Sequence, residues 1–262
     1  MTHGTGTWPS GEQACTAISS WPSGATGIAM MSKYDAIIVG AGPAGSTAAI
    51  LLARAGWRVA IVEKHVFPRR KVCGECLSAA SLTLLDALGI GGRAAALAGA
   101  PLRHVALVCG ERMLRAPLPP RMGSGHRWGI ALSREHLDAL LLDAAQQHGV
   151  ERFQPWQAHR IDSTPGQCRC HIRSSVLGQE RLLSAPVLID AHGAWEALHA
   201  PPEGQRTIHM PDDLLAFKAN FMGVALEAGV LPVLSFPGGY GGLVMAGDGA
   251  ATFAFCIRRD VL

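Results

Sequence analysis

YDAIIVGAGPAGSTAAILLARAGWRVAIVEK, residues 34–64, sets the architecture. Tyr34 to Val39 is a short apolar run that predicts a buried strand. Pro43 to Ala55 predicts a helix, with small residues at Ala44, Ala48 and Ala49 and bulk at Ile50, Leu51 and Leu52. Gly56 supplies the helix stop. Trp57 to Glu63 predicts a second buried strand. A helical crossover between two strands makes the pair parallel. Between the first strand and the helix stands Gly40-Ala41-Gly42-Pro43-Ala44-Gly45, the pattern G-x-G-x-x-G. Its place after a strand and at the start of a helix makes it informative, because a glycine-rich chain forms the bare pattern by chance. Gly40 allows the tight turn, Gly42 lets the backbone approach a pyrophosphate, and Gly45 permits close helix–strand packing. The free N–H groups of the helix start face an anion there. Glu63 follows Gly45 by 18 residues. A carboxylate at that point accepts hydrogen bonds from ribose hydroxyls and repels a 2′-phosphate.

The rest of the chain is consistent with this unit. At 262 residues the length allows roughly 1.7 domains, enough to bury a core. Apolar residues make up 48%, which excludes a disordered chain, and charged residues only 16%. Net charge is +3, with 19 Arg, 4 Lys and no basic cluster longer than Arg69-Arg70-Lys71. That gives no footprint for nucleic acid. Ala36 to Ala53 is 18 uncharged residues, close to a membrane span in length. The glycines, Pro43, Ser46 and Thr47 near its middle read better as strand, turn and helix. No transmembrane segment is expected, and peripheral membrane contact is left open. Without a basic and then apolar leader, the seven Cys are expected as free thiols in a reducing, cytoplasmic setting. Residues 1–30 are rich in Gly, Ser and Thr and repeat Trp-Pro-Ser-Gly at 8–11 and 21–24. They read as a disordered extension ahead of a start at Met30 or Met31.

Beyond residue 64, Ser78 to Leu88 predicts a helix. Leu132 to His148 is the clearest amphipathic helix, with Leu137, Leu140, Leu141 and Ala144 at helical spacing, Ser133 as cap and Gly149 as stop. Short strands are expected at 156–161, 167–173, 181–183 and 187–191. Four more follow at 214–221, 231–236, 240–245 and 251–257. The fold class is α/β: a Rossmann-like domain with an interleaved β-rich domain.

The run from Tyr34 to Lys64 resembles the N-terminus of FAD-dependent oxidoreductases of the aromatic-hydroxylase-like fold. Phe67-Pro68-Arg69-Arg70-Lys71-Val72-Cys73-Gly74-Glu75-Cys76-Leu77-Ser78 resembles the F-P-R-x-K-x-C-G-E-x-L-S stretch of their geranylgeranyl-reductase-like branch, which neighbours flavin-dependent halogenases and monooxygenases. Arg134, Leu137, Asp138 and Leu141 resemble the family's R-x-x-L-D-x-x-L-L helix. The resemblance implies FAD as cofactor, NAD(P)H as reductant and a small hydrophobic substrate that is either reduced at C=C or oxygenated. It nominates Gly40, Gly42, Pro43, Ala44, Gly45, Glu63, Lys64, Cys73, Gly74 and Arg134 as cofactor contacts. Cys73 and Gly74 are placed near the isoalloxazine, and Arg134 reaches the FAD. No side chain announces itself as the catalytic acid or base.

Two departures from the family pattern stand out. Asp190-Ala191-His192-Gly193 has His192 where the family usually has Asp. Gly247-Asp248-Gly249 resembles a later G-D motif but lies between two strands, so it reads as a hairpin turn. On that reading the last third of the family fold is missing. The expected division is therefore an extension at 1–30, an FAD-binding domain at 31–200 and the start of a substrate domain at 201–262. A catalytically inactive fragment is the alternative.

Other constellations read modestly. Cys73 and Cys76 form C-x-x-C, which offers a flavin-linked dithiol route. The reductase-like context instead makes Cys76 a small core residue. Cys168-Arg169-Cys170-His171 reads as strand packing, and no metal site is expected. The glycines of Pro237 to Gly242 fit either a substrate-lining loop or a plain hairpin.

Overall fold

The computed structural model describes residues 31–123, 125–193 and 209–262. The expected extension at 1–30 lies outside the described residues. The opening unit forms as its sequence predicts, with trimmed ends. β1 (Met31–Lys33) and β2 (Ala36–Val39) precede α1 (Pro43–Arg54), which leads to β3 (Val59–Val62). β2 and β3 pair in parallel, from Ala36 with Val59 to Val39 with Val62. Every residue of both strands is buried, which accounts for their unbroken apolar run.

There follow β4 (Cys76–Leu77), α2 (Ala79–Ala87), α3 (Gly91–Leu97), β5 (His104–Cys109), β6 (Arg112–Pro117) and β7 (Ile130–Ala131). Then come α4 (Arg134–Gln147), β8 (Glu151–Phe153), β9 (Trp156–Thr164), β10 (Gln167–Ser174), β11 (Glu180–Ala185) and β12 (Val187–Asp190). The last elements are β13 (Leu214–Phe221), β14 (Val230–Phe236), β15 (Gly239–Met245), β16 (Ala251–Arg258) and a 3-10 turn, Arg259–Val261. Ser78 and Ser133 cap α2 and α4 by accepting from the N–H groups of Ser81 and His136.

The central sheet is parallel, in the order β12-β2-β3-β8. Alternation along its strands sorts side chains to two faces. Ile38, Val59 and Ile61 meet α1, α2 and α4 through Ile50, Leu82, Leu137 and Leu141. Ile37, Val39, Ala60 and Val62 meet a second sheet, β1-β11-β10-β9, through Cys170, Ile172 and Leu183. The chain thus builds a helix–sheet–sheet sandwich around the parallel pair.

The third sheet has six strands, β13-β16-β15-β14-β5-β6. β5 and β6, from residues 104–117, join strands from 214–258, so this sheet draws on two separated pieces of chain. Neither those two strands nor α3 is expected from the sequence. Apart from buried Ala106, His104–Cys109 and Arg112–Pro117 are half-buried or exposed and carry no strong alternation.

Gly247 to Gly249 forms the expected turn between β15 and β16, with Asp248 accepting from the Ala250 N–H at 3.0 Å. Pro237-Gly238 turns directly from β14 into β15, the plain hairpin reading. No helix among the described residues is long and apolar enough to cross a membrane.

Candidate functional site

The turn from β2 into α1 is built by glycines that serve different ends. Gly40 has φ +101, and a Cβ there would overlap the carbonyl oxygen of Ala191. A Cβ on Gly45 would overlap the carbonyl oxygen of Gly40. Both are therefore demanded by the protein itself. Gly42 is not: a Cβ there would meet only Arg134 Nη2, at 3.8 Å. Gly42 is the N-cap of α1, Pro43 and Ala44 open the helix, and no side chain caps it. The turn therefore leaves space and helix-start N–H groups facing the same way.

Glu63 closes the turn from below. It is buried, and its Oε2 accepts from the Ala41 N–H at 3.0 Å while Oε1 accepts from the His65 N–H at 2.9 Å. Each carboxylate oxygen keeps a further lone pair for a ligand hydroxyl. Arg69 links this carboxylate to a second one. Its Nε lies 4.0 Å from Glu63 Oε1 and its Nη1 3.4 Å from Asp138 Oδ2. Among the described residues, Arg69 Nε is the buried side-chain nitrogen without a hydrogen-bond partner.

Asp138 has no exposed surface and sits one turn after Arg134 on α4. Arg134 donates to it in bidentate fashion, Nε to Oδ1 at 2.8 Å and Nη2 to Oδ2 at 2.9 Å. Burial works against the Arg134 charge, but Asp138 and the Cys73 thiol outweigh it and hold its pKa above the ordinary arginine value. The Arg134 guanidinium thus sits fixed between Gly42 and Cys73.

A cavity of about 730 Å³ opens beside this cluster. Its wall includes Gly40, Glu63, Lys64 and Arg69, with Trp156 and Ala158 from β9 and Leu214 to Phe217 from β13. Of the residues nominated from sequence, Gly40, Glu63 and Lys64 line the cavity. Gly42, Cys73 and Arg134 are not part of that wall, and Arg134 approaches both of the others. Gly74 stands in open space, where a Cβ would meet nothing within 4 Å. His192 also lines the cavity and pairs with Asp190 through Nδ1.

The arrangement fits a dinucleotide. It offers an uncapped helix start for a pyrophosphate, a buried cation with an unpaired N–H beside it, and a carboxylate for ribose hydroxyls. Cys76 corrects an expectation: it is exposed rather than a core residue, on the short strand β4. Desolvation, then Cys73 and Glu75, still push its thiol up to about 11. A thiolate, the reactive form, is scarce there at neutral pH. Cys170 is buried against the parallel sheet, and no cluster suited to a metal ion occurs among the described residues.

The sequence reading did not nominate Arg69, Asp138, Glu75, Lys218 or Thr252. Asp138 was within reach, since Arg and Asp at i,i+4 on one helix form a pair.

Known proteins share this fold. Half of this chain, over 134 residues, is 37% identical to tryptophan 2-halogenase of Chondromyces crocatus, covering 24% of that protein. A myxobacterial chondrochloren halogenase superposes with a TM-score of 0.74 at 20% identity, over 88% of this chain and 54% of its own. A geranylgeranyl bacteriochlorophyll reductase-like protein from Thermoplasma acidophilum gives 0.70 at 20% identity, over 88% and 58%. This chain therefore spans a little over half the length of those two structures. The model of the FAD binding domain family matches residues 33–229, which contain the glycine turn, Glu63, Arg69 and Arg134. The chain belongs to the FAD binding domain family.

Proposed function

We propose that this chain binds FAD and works as an FAD-dependent oxidoreductase. NAD(P)H would serve as reductant and a small hydrophobic substrate would be reduced at C=C or oxygenated. The observation that carries the reading is Gly42. The protein has no packing reason for glycine there, yet the missing side chain opens the helix start beside Arg134 and Arg69. On this reading the Gly42 to Gly45 backbone and Arg69 hold the pyrophosphate. Glu63 accepts from ribose hydroxyls, Lys64 flanks them, and Cys73, Gly74 and Arg134 border the ring system. When bound, FAD supplies the electron-transfer chemistry. The chain's own residues bind it, orient it and keep the Arg134 charge fixed. Likeness to reductase-like and halogenase proteins supports the substrate class.

Mixing the protein with FAD and separating free flavin by gel filtration tests the reading. Visible flavin absorbance should travel with the protein and bleach on adding NADH or NADPH under anaerobic conditions. A colourless protein peak would sink the FAD assignment. Bound flavin that neither nucleotide bleaches would sink the reductant. A dithiol route through Cys73 and Cys76 is the weaker reading, given the raised Cys76 thiol.

A further inference from the structure

Glu75 is unusual on three independent counts. Its side chain has no exposed surface. Its φ is +56, making it the non-glycine residue in the left-handed region among the described residues. Its carboxylate joins elements far apart in the chain. Oε1 accepts from the Arg134 backbone N–H at 2.8 Å and from Lys218 Nζ at 2.5 Å. Oε2 accepts from Thr252 Oγ1 at 2.6 Å. Its backbone carbonyl accepts from the Leu132 N–H at 2.9 Å.

A strained backbone persists only where its surroundings over-determine it. Glycine would relieve position 75, so the side chain supplies the reason for the strain. Arg134 begins α4, whereas Lys218 and Thr252 stand on neighbouring strands of the six-stranded sheet, facing the same way. Lys218 is nearly as buried as its partner. A buried charge left without its partner is costly, so each end holds the other in place.

We propose that Glu75 is a positioning residue that latches the six-stranded sheet to the start of α4. The setting of the Arg134 guanidinium beside Gly42 then depends on the sheet being seated. Strands on which a substrate would rest and the start of α4, whose Arg134 lies beside Gly42, share one carboxylate. The cofactor side of this inference rests on the FAD reading above; the mechanical side does not.

Hydrogen exchange and FAD titration on the full chain separate the two. Lys218 is not part of the cavity wall. Lys218→Met should nevertheless speed exchange over residues 130–137 and weaken FAD binding about tenfold. Thr252→Val should do the same more weakly, and it keeps the side-chain shape should Lys218→Met fail to fold. The losses of FAD affinity from Lys218→Met and Arg134→Ala should not add when combined. Exchange over 130–137 unchanged in both sheet variants would overturn the latch. Additive losses of affinity would overturn its link to Arg134. If the parent protein binds no FAD, the functional reading falls, while the exchange data still decide the latch.

Discussion

Gly40-Ala41-Gly42-Pro43-Ala44-Gly45 and Pro237-Gly238-Gly239-Tyr240-Gly241-Gly242 each put three or four glycines into six residues, and each follows a strand. In the hairpin the glycines answer to the protein. A Cβ on Gly239 would overlap the carbonyl oxygen of Cys256, and one on Gly241 would lie 2.6 Å from Phe255 Cβ. The missing side chain at Gly241 leaves room for Phe253 and Phe255 on the paired strand, whose stacked rings have centroids 4.9 Å apart. In the turn, Gly40 and Gly45 answer to the protein as well, but Gly42 does not. Within these two runs, Gly42 is the glycine that combines an ordinary φ with no contact closer than 3.8 Å.

This contrast can be broken most forcefully at Gly45. Gly45→Ala drives a methyl into backbone that cannot step aside, and should cost about 3 kcal/mol of stability in urea unfolding. An unchanged midpoint would show that the turn is not packed as described. Gly241→Ala meets Phe255 Cβ at 2.6 Å and the Ala254 carbonyl oxygen at 2.9 Å, a milder overlap than the 1.9 Å at Gly45, so about 1–2 kcal/mol is expected, with FAD affinity untouched. Gly42→Ala should reverse that pattern. Its φ is −70, so the chain-entropy gain and the poorer cap offset each other to within about 0.5 kcal/mol. FAD binding should nevertheless fall about tenfold, roughly 1.4 kcal/mol by titration. A large stability loss there would return Gly42 to the class of Gly45. The smallest effect is expected at Cys76→Ser. Partial desolvation and the neighbouring Cys73 and Glu75 already keep that thiol protonated, so the rate of flavin reduction by NAD(P)H should not change measurably. A marked slowing would revive the dithiol route.

Legibility followed the distance along the chain over which the deciding contact acts. The parallel pair, α1, α2 and α4 were readable because burial on both faces and helical spacing leave local traces. Ser78 and Ser133 were readable as caps for the same reason. β5 and its edge partner β6 were not, since β5 is seated against β14, more than a hundred residues later. At the site, Glu63 was readable as an acid at the right spacing. Its bonds to the Ala41 and His65 N–H groups were not, because backbone amides carry no sequence signature. Arg69 lay in a quoted motif without a role until its unpaired Nε and its reach to two carboxylates became visible.

From residues 34–64 alone, the sequence determined a βαβ unit with a glycine turn and a terminal carboxylate, because period, turn chemistry and helix start are local properties. The tertiary structure decided which glycine is left with open space above it, since that depends on the atoms brought above each Cα by Ala191 and Arg134. It also decided that Glu75 spans to Lys218, 143 residues away, and to Thr252. Buried charge pairs of that kind are selected by where folding removes water from both partners, and no spacing along the chain records that.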